Sequence, residues 1–392
     1  MKAALSVVPR EAFAGDTVPA DLSDLSDLAD LPDVAWEPPV PGQRRVLNNW
    51  NEYMGLASRV VGRFHGQFNL RHFDYDHPMA LQPGTPRRLK KPYHASVAYT
   101  EWGPADAPVL LCAGGVANVA MRFHYLASDL CDHYRVVCMD WLGRGRSGWL
   151  AAEEDYSLAT YTEQLRQCIL QLNAKSVTVV GSSMGGSAAI ELVAKHPQLV
   201  QRLILNDVGP YIPSRRRLRR ADTIARHYVF RNPSDLLRKV GASSKNDGPV
   251  SDDIRFNLTF HQTRWSDDEG GRVYRHDTRA MQAYRRGAGK SVAQWPQWQR
   301  VHCPVMLIHG MQSDALFEPT IKRMRRGKDV VVMRVPDTGH TPLLADRNHI
   351  EFIRQWLSGQ APEGREWSVL HATPRQAYAG NPIAFAPREA LR

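Results

Sequence analysis

The chain of 392 residues is 43% hydrophobic and carries 50 Lys and Arg against 40 Asp and Glu, which gives a formal net charge of +10. No stretch of it approaches the roughly 20 uninterrupted apolar residues that a membrane span needs. The apolar run behind Met1 stops at Pro9 and Arg10, too soon for the core of a secretory signal. We therefore predict a soluble, cytoplasmic protein without a transmembrane segment, longer than one average domain.

The cysteines argue against a disulfide framework and a zinc site. They are five in number, lack the spacing of metal ligands and lie mostly in apolar runs. Reduced thiols are therefore expected. The residues are Cys112, Cys131, Cys138, Cys168 and Cys303.

The first 90 residues divide into two segments of different composition. Residues 1–45 are predicted to form an acidic, flexible tail, because the first 40 residues hold eight acidic residues against Lys2 and Arg10. Residues 46–90 are predicted to form a helical extension, because apolar residues between Val46 and Phe68 recur at mixed helical spacing. Packing on the core is the favoured role of this helix, and an oligomer contact, such as a homodimer interface, is the alternative.

Residues 91–210 are predicted to form the first part of the core. Two apolar runs in this segment read as buried strands, and each leads into a glycine-rich turn. Val109–Cys112 precedes Ala113-Gly114-Gly115, and Arg135–Asp140 precedes Gly143-Arg144-Gly145-Arg146-Ser147.

The run from Ser176 to Ser187 predicts a strand that turns sharply into a helix at Ser183. Small residues around the bend, Gly181, Gly185 and Gly186, allow strand, turn and helix to approach one another closely. A Gly-x-Ser-x-Gly pattern alone recurs by chance, but here an apolar strand precedes it and an amphipathic helix follows it. Ser183 is therefore the predicted nucleophile.

A nucleophilic serine needs a histidine to accept its proton and a carboxylate to hold that histidine in the right tautomer. Two later strands end in loops that carry such residues, Asp314 and His340. Because a parallel open sheet collects its ligand-binding residues in loops after strands, His340 is the predicted base and Asp314 the predicted acid. Asp207, which directly follows an earlier apolar strand, is the alternative acid.

With Ser, Asp and His in this chain order, the segment from about Tyr93 to Leu357 resembles the α/β-hydrolase fold superfamily. The run Asp140–Ser147 resembles that family's Asp-x-x-Gly-x-Gly-x-Ser turn, and Leu203–Pro210 resembles the strand that ends where the cap begins. The resemblance implies a mostly parallel, doubly wound sheet with a helical cap, residues 211–300, inserted between two late strands. The second part of the core would then be residues 301–359.

The resemblance also implies an oxyanion hole built from backbone N–H groups. The family usually has His-Gly after its first long buried strand, whereas this chain has Ala113-Gly114-Gly115. If Gly114 is the family's glycine, Gly115 supplies one N–H donor and Met184 the second. Val116 is the alternative to Gly115. His124, in the same segment, is another histidine of interest.

The predicted cap opens with Arg215–Arg220, a run that contains five arginines. Such a run is most often a solvated helix face, and attraction of an anionic substrate or membrane surface is the alternative. No nucleic-acid module accompanies the run, so we expect no nucleic-acid partner. The predicted cap also holds aromatic residues, some of which are expected to shape an apolar acyl pocket and most of which are expected to hold the cap together. They are Tyr228, Phe230, Phe256, Phe260, Trp265, Tyr274, Tyr284, Trp295 and Trp298. Residues 360–392, rich in proline, are predicted to form an irregular tail.

The resemblance implies a serine esterase without cofactor or metal, which cleaves a carboxylic ester of a small or medium, in some cases acidic, substrate through an acyl-enzyme. The Ser-Met-Gly-Gly elbow resembles bacterial esterases, lactonases and carbon–carbon bond hydrolases. Haloalkane dehalogenases and epoxide hydrolases of this fold are excluded, because they need an aspartate in place of Ser183. The alternatives are a carbon–carbon bond hydrolase or cofactor-free haloperoxidase with the same triad, and a ligand sensor with this fold.

Overall fold

The computed structural model describes residues 47, 49–77, 93–243, 246–361 and 364–372. The predicted acidic tail of residues 1–45 lies outside this part of the chain. The strands are β1 Phe68–His77, β2 Tyr93–Trp102, β3 Val109–Ala113, β4 Arg135–Met139, β5 Val177–Ser182, β6 Val200–Asn206, β7 Tyr211–Ile212, β8 Val229–Phe230, β9 Thr263–Ser266, β10 Gly271–Tyr274, β11 Val292–Ala293, β12 Val305–Gly310, β13 Val330–Val335 and β14 Glu366–Ser368.

Helices pack against both faces of the sheet. The α-helices are α1 Trp50–Val60, α2 His124–Leu130, α3 Leu158–Gln171, α4 Met184–Lys195, α5 Ser214–Ile224, α6 Pro233–Ser243, α7 Asp252–Gln262, α8 Thr278–Gly287, α9 Trp295–Gln299, α10 Glu318–Met324 and α11 Arg347–Ser358. Short 3₁₀ turns lie at Gly62–Phe64, Ala120–Phe123, Glu153–Asp155 and Pro197–Leu199.

Nine of the described strands form one sheet in the order β1-β2-β4-β3-β5-β6-β12-β13-β14. Strand β2 pairs antiparallel with β1 and β4, and the other neighbours in this sheet are parallel. The chain leaves β3 toward β4 on one side and then returns to place β5 on the other. This reversal creates the crevice at which open parallel sheets bind ligands.

The central strands are rich in apolar residues because helices cover both faces of the sheet. On β3, Leu111 packs in the cluster that contains α3 and α4, whereas its neighbour Leu110 packs in the cluster that contains α2 and α11. Strands β3, β5 and β12 are buried at every residue. The predicted α/β architecture is confirmed. None of the described helices combines the length and apolarity needed to cross a membrane.

The cap lies between β6 and β12 and contains α5 to α9 with two small sheets. Helix α1, although it precedes the core in sequence, packs against this cap. Tyr53 and Leu56 of α1 share an apolar cluster with Leu237 of α6 and with Phe256 and Phe260 of α7. The favoured expectation that the segment from Val46 to Phe68 packs on the core holds for Phe64, which clusters with Trp102 of β2, but not for the apolar stripe of α1, which cap helices cover.

The predictions for residues 46–90 and 360–392 are corrected in part by the structure. The extension of residues 46–90 is not helical throughout, since β1 follows α1 and pairs along its whole length with β2. The second half of β1 alternates buried and exposed residues, with Phe73, Tyr75 and His77 facing inward. The tail of residues 360–392 is not wholly irregular either, because β14 joins the sheet beside β13. Residues 78–92 and 373–392 lie outside the described part.

Candidate active site

Ser183 lies at the bend between β5 and α4 with φ 49° and ψ −114°, a backbone conformation that is strained for a residue with a side chain. The bend is crowded, so its neighbours must be small. A Cβ on Gly181 would lie 2.5 Å from the Cα of Gly186, and one on Gly185 would lie 2.2 Å from the carbonyl oxygen of Ala113. The glycines of the motif therefore let the backbone present the Ser183 hydroxyl at the crevice.

His340, in the loop after β13, joins Ser183 to a buried carboxylate. Its Nε2 lies 3.0 Å from the Oγ of Ser183, and its Nδ1 lies 2.8 Å from Oδ2 of Asp207. The side chain of Asp207 is fully buried, and that of His340 is 14% exposed. The three residues thus form a continuous hydrogen-bonded chain from an interior charge to a hydroxyl at the cavity.

Asp207 is held by three groups besides His340. Its Oδ1 accepts a hydrogen bond from the Gly310 N–H at 3.1 Å, and its Oδ2 accepts one from the Ser313 hydroxyl at 2.6 Å. The Asp207 N–H donates to the Ile308 carbonyl at 2.7 Å, which anchors the residue to the adjacent strand β12. A buried carboxylate requires such partners, and here they also fix its orientation toward His340.

The prediction that Asp314 orients His340 is wrong. The Asp314 carboxylate instead pairs with Arg216 Nε at 2.6 Å and with Arg219 Nη2 at 3.0 Å. The preceding residue, Ser313, donates its hydroxyl to Asp207, whereas the side chain of Asp314 points toward the cap helix α5. The alternative that the sequence offered, Asp207, occupies the position beside His340.

The glycine loop after β3 lies against Ser183, as expected of an oxyanion loop. A Cβ on Gly115 would lie 3.5 Å from the Ser183 Cβ. The Gly115 N–H donates to the side-chain oxygen of Asn118 at 2.9 Å, a partner that sequence reasoning missed. Met184 is the first residue of α4, and the first N–H groups of a helix have no intrahelical acceptor. The backbone of Met184 is therefore oriented by the helix start, while Gly115 and Val116 remain the two candidates in the loop.

A cavity of about 830 Å³ opens beside Ser183 and His340, between the core and the cap. Arginine dominates its polar lining, and the arginines are Arg122, Arg144, Arg216, Arg217, Arg219 and Arg220. The acidic lining residues are Asp247 and Asp314, and Leu158, Ile212 and Val292 are among the apolar ones. Of the cap aromatics, Tyr284 lines the cavity, whereas Phe256 and Phe260 pack with α1. The polar part of the cavity wall is thus cationic, whereas the sequence favoured an apolar acyl pocket and offered attraction of an anionic substrate only as the alternative role of the arginine run.

Two buried arginines hold the loops of the site. Arg122 donates from Nη2 to the carbonyl oxygen of Thr341 at 3.2 Å and to its hydroxyl at 3.0 Å, next to His340. Arg144 donates from Nε to the Val116 carbonyl at 2.8 Å, within the glycine loop. Burial lowers the pKa of the Arg122 guanidinium, but arginine stays charged in proteins. Both residues therefore tie loops of the candidate site to the core and also add positive charge to the cavity wall.

His124 lies outside the cavity. It is fully buried among Phe64, Trp102 and His261, and neither ring nitrogen has a hydrogen-bond partner among the described residues. Burial holds the pKa of His124 well below its ordinary value, and the same holds for His261. Both rings are therefore neutral packing groups in the structure.

Residues of metal-ligand type come together at Asp346, His349 and His371, whose ligand atoms lie within 4.8 Å of one another. Each of the three side chains also has a hydrogen-bond contact with the backbone. Asp346 caps α11 and accepts from the Ala372 N–H at 2.9 Å, while the two histidines contact the carbonyls of Val369 and Pro336. These contacts attach the segment after β14 to the start of α11.

Comparison with known proteins agrees with this geometry. Residues 107–346 match the family model for the alpha/beta hydrolase fold, and the chain belongs to that family. It is 32% identical over 274 residues to the 3-hydroxybutyrate-oligomer hydrolase of Cupriavidus necator, which spans 67% of this chain and 93% of that protein. It is also 28% identical over 151 residues to a serine hydrolase-like protein of Danio rerio, across 37% of this chain and 44% of that protein.

Solved structures share the fold. An alpha/beta hydrolase from Novosphingobium aromaticivorans superposes with a TM-score of 0.61 at 22% identity, over 74% of this chain and 98% of that chain. The esterase RhEst1 from Rhodococcus superposes with a TM-score of 0.53 at 18% identity, over 68% of this chain and 96% of that chain. The protein is thus a hydrolase of the α/β fold, as the sequence resemblance implied.

Proposed function

We propose that the protein is a serine hydrolase that cleaves a carboxylic ester of a small or medium acidic substrate through an acyl-enzyme. The observation that carries this proposal is the hydrogen-bonded chain Ser183–His340–Asp207, which ends in an arginine-lined cavity. A hydroxyl, an imidazole and a buried carboxylate in this order activate a nucleophile for acyl transfer. The chemistry needs no cofactor.

In the proposed mechanism, the Ser183 oxygen attacks the ester carbonyl while His340 Nε2 takes its proton. Asp207 keeps the Nδ1–H of His340 pointed inward and stabilises the imidazolium that forms. The negative charge on the tetrahedral oxygen is stabilised by the N–H of Met184 and by that of Gly115 or Val116. Gly115 can serve only if its N–H turns from the Asn118 oxygen toward the oxyanion.

The imidazolium then returns its proton to the departing alcohol oxygen, and the acyl group stays on Ser183. A water molecule gives a proton to His340 and attacks the acyl carbonyl, and collapse of this second tetrahedral intermediate releases the acid and restores the Ser183 hydroxyl. Both halves of the reaction use the same three side chains and the same backbone donors. No atom outside the substrate and water is consumed.

Two observations support an acidic oligoester as substrate. The Cupriavidus necator relative is named for hydrolysis of 3-hydroxybutyrate oligomers, which are esters that end in a free carboxylate. The cavity of this chain carries six arginines and two aspartates, an excess of positive charge that favours anionic ligands. Its volume of about 830 Å³ is in the usual range of small-molecule pockets.

The proposal is tested with the dimer of 3-hydroxybutyrate and with a fluorophosphonate probe. The wild-type protein should turn over the dimer repeatedly and take up the probe on Ser183. Ser183→Ala should abolish both, with a loss of turnover of about 10⁴-fold or more. Ser182→Ala is the matched control, since the Ser182 hydroxyl contacts Asn206 and should not react.

Labelling of another serine, or retention of a tenth of the turnover in Ser183→Ala, would refute the proposal. A single slow acylation without turnover would indicate a ligand sensor instead.

A further inference from the structure

The arginines of helix α5 divide between its outer and inner faces. Arg215 and Leu218 are exposed, and the Arg219 side chain is 60% exposed even though it contacts Asp314. Arg216 and Arg220, one helical turn apart, both line the cavity. The expectation of a wholly solvated helix face therefore does not hold for the inner side of α5.

Most of the cavity-facing arginines on α5 have a partner for the guanidinium. Arg216 and Arg219 share the carboxylate of Asp314. Arg217 donates to the backbone carbonyls of Gly287 and Lys290 and lies over the ring of Tyr284. These contacts give each of the three guanidinium groups at least one partner within the described part of the chain.

Arg220 is different. Within the described part of the chain it makes neither a hydrogen bond nor an ion pair, although it lines the cavity beside Tyr284 and Asp247. Burial and the charge of Arg216 lower the pKa of Arg220, and the charge of Asp247 acts in the opposite direction. Arg220 is thus a partly buried cation on the wall of the cavity, and the described residues supply no ion-pair partner for it.

A partly buried charge without a partner is costly, and proteins retain one where a ligand completes it. The planar guanidinium offers two parallel N–H donors, which match the two oxygens of a carboxylate. The nearby cations Arg122 and Arg144 form no ion pair with the described residues, so they add to the attraction for an anion.

We propose that Arg220 binds the free carboxylate of the substrate while the ester lies at Ser183. This inference rests on the proposed function and deepens it. The protein would then act at chain ends. When the terminal carboxylate of an oligoester is bound at Arg220, only an ester linkage close to that terminus can lie at Ser183. Neutral esters of the same size would enter the cavity without this contact.

The test compares the 3-hydroxybutyrate dimer with its methyl ester, which has the same linkage but no charge. Arg220→Gln should lower kcat/KM for the dimer by about 30-fold or more, because it leaves a bound carboxylate unpaired. The methyl ester should be hydrolysed at nearly the wild-type rate. Arg220→Lys, which keeps the charge without the fork, should fall between. Arg215→Gln is the matched control on the exposed face of the same helix, and it should leave kcat/KM unchanged for both the dimer and its methyl ester.

A binding measurement separates this inference from the proposed function. In a Ser183→Ala background, calorimetry with 3-hydroxybutyrate as the carboxylate probe reports the contact without catalysis. Adding Arg220→Gln should weaken that binding by a similar factor. If the wild type fails to hydrolyse any ester but Arg220→Gln still weakens binding, the carboxylate anchor at Arg220 is supported and the proposed esterase activity is refuted. Equal losses on dimer and methyl ester, or unchanged binding, would overturn the anchor alone.

Discussion

The hydroxyl of Ser313 donates to the same oxygen of Asp207, Oδ2, that receives the Nδ1–H of His340, at distances of 2.6 and 2.8 Å. One carboxylate oxygen therefore serves both a strand-end loop and the candidate base. Ser313 also accepts from the N–H groups of Ala315 and Leu316, each at 3.1 Å, so its side chain is fixed by the loop. We infer that Ser313 positions Asp207.

Ser313→Ala should reduce kcat more than it changes KM. A hydrogen bond to a charged group contributes about 1.5–3 kcal/mol, and the Gly310 N–H remains to hold the other oxygen. We expect a loss in kcat of about tenfold, measured with the 3-hydroxybutyrate dimer. Ser313→Thr keeps the hydroxyl and should restore most of the rate. A lowered melting temperature with unchanged kcat would show that Ser313 only stabilises the loop.

Asn118→Asp tests where the oxyanion forms. The Asn118 oxygen lies 2.9 Å from the Gly115 nitrogen, so an added negative charge there would oppose the charge that develops on the ester oxygen. Removing oxyanion stabilisation costs about 10²- to 10³-fold in kcat, and we expect a loss of that size. Asn118→Ala removes the side-chain oxygen without adding charge and should lose much less. Equal losses in the two variants would place the oxyanion away from this loop.

Acid should destabilise the protein through its buried histidines. Burial lowers the pKa of His124 and His261, so below about pH 6.5 the unfolded chain binds protons that the folded chain does not. The free energy of unfolding should therefore fall as the pH drops, by up to about 1.4 kcal/mol per pH unit for each histidine.

His124→Phe removes one of these groups and suits a site lined by Phe64 and Trp102. Urea unfolding measured from about pH 7.5 to about pH 5 gives the free energy of unfolding at each pH. In His124→Phe this free energy should fall less steeply with acid, by the slope that corresponds to about one bound proton. His133→Gln, which removes an exposed histidine, is the matched control. An unchanged slope in His124→Phe would mean that His124 is not neutral in the folded protein.

The residues of the site that depend on short-range contacts can be predicted from the sequence. The glycines around Ser183 are dictated by contacts of 2.5 Å or less that any Cβ would make, and such crowding leaves a pattern in the chain. His340 follows a strand whose apolar residues identify it. The acid is harder to assign, because both Asp207 and Asp314 follow buried strands of a parallel sheet. Which of them faces His340 depends on the pairing of Asp314 with α5, a tertiary contact with no local pattern.

Other features depend on contacts between distant segments. The apolar stripe of α1 shows that one face is buried but not that cap helices cover it. The alternation of Phe73, Tyr75 and His77 was present in the sequence and would have identified the end of β1. The isolation of Arg220 could not be predicted, because Arg216, Arg217 and Arg219 on the same helix are the same residue type and have partners that lie elsewhere in the chain.

The most direct test of the account replaces each candidate acid by its amide. Asp207→Asn should lower kcat for the 3-hydroxybutyrate dimer by about 10⁴-fold at little change in shape, because the amide favours the wrong tautomer of His340. Asp314→Asn should cost less than about fivefold, since a partly exposed ion pair contributes at most about 1 kcal/mol. A larger loss in Asp314→Asn than in Asp207→Asn, at unchanged melting temperatures, would contradict the assignment of Ser183, His340 and Asp207 as the catalytic residues.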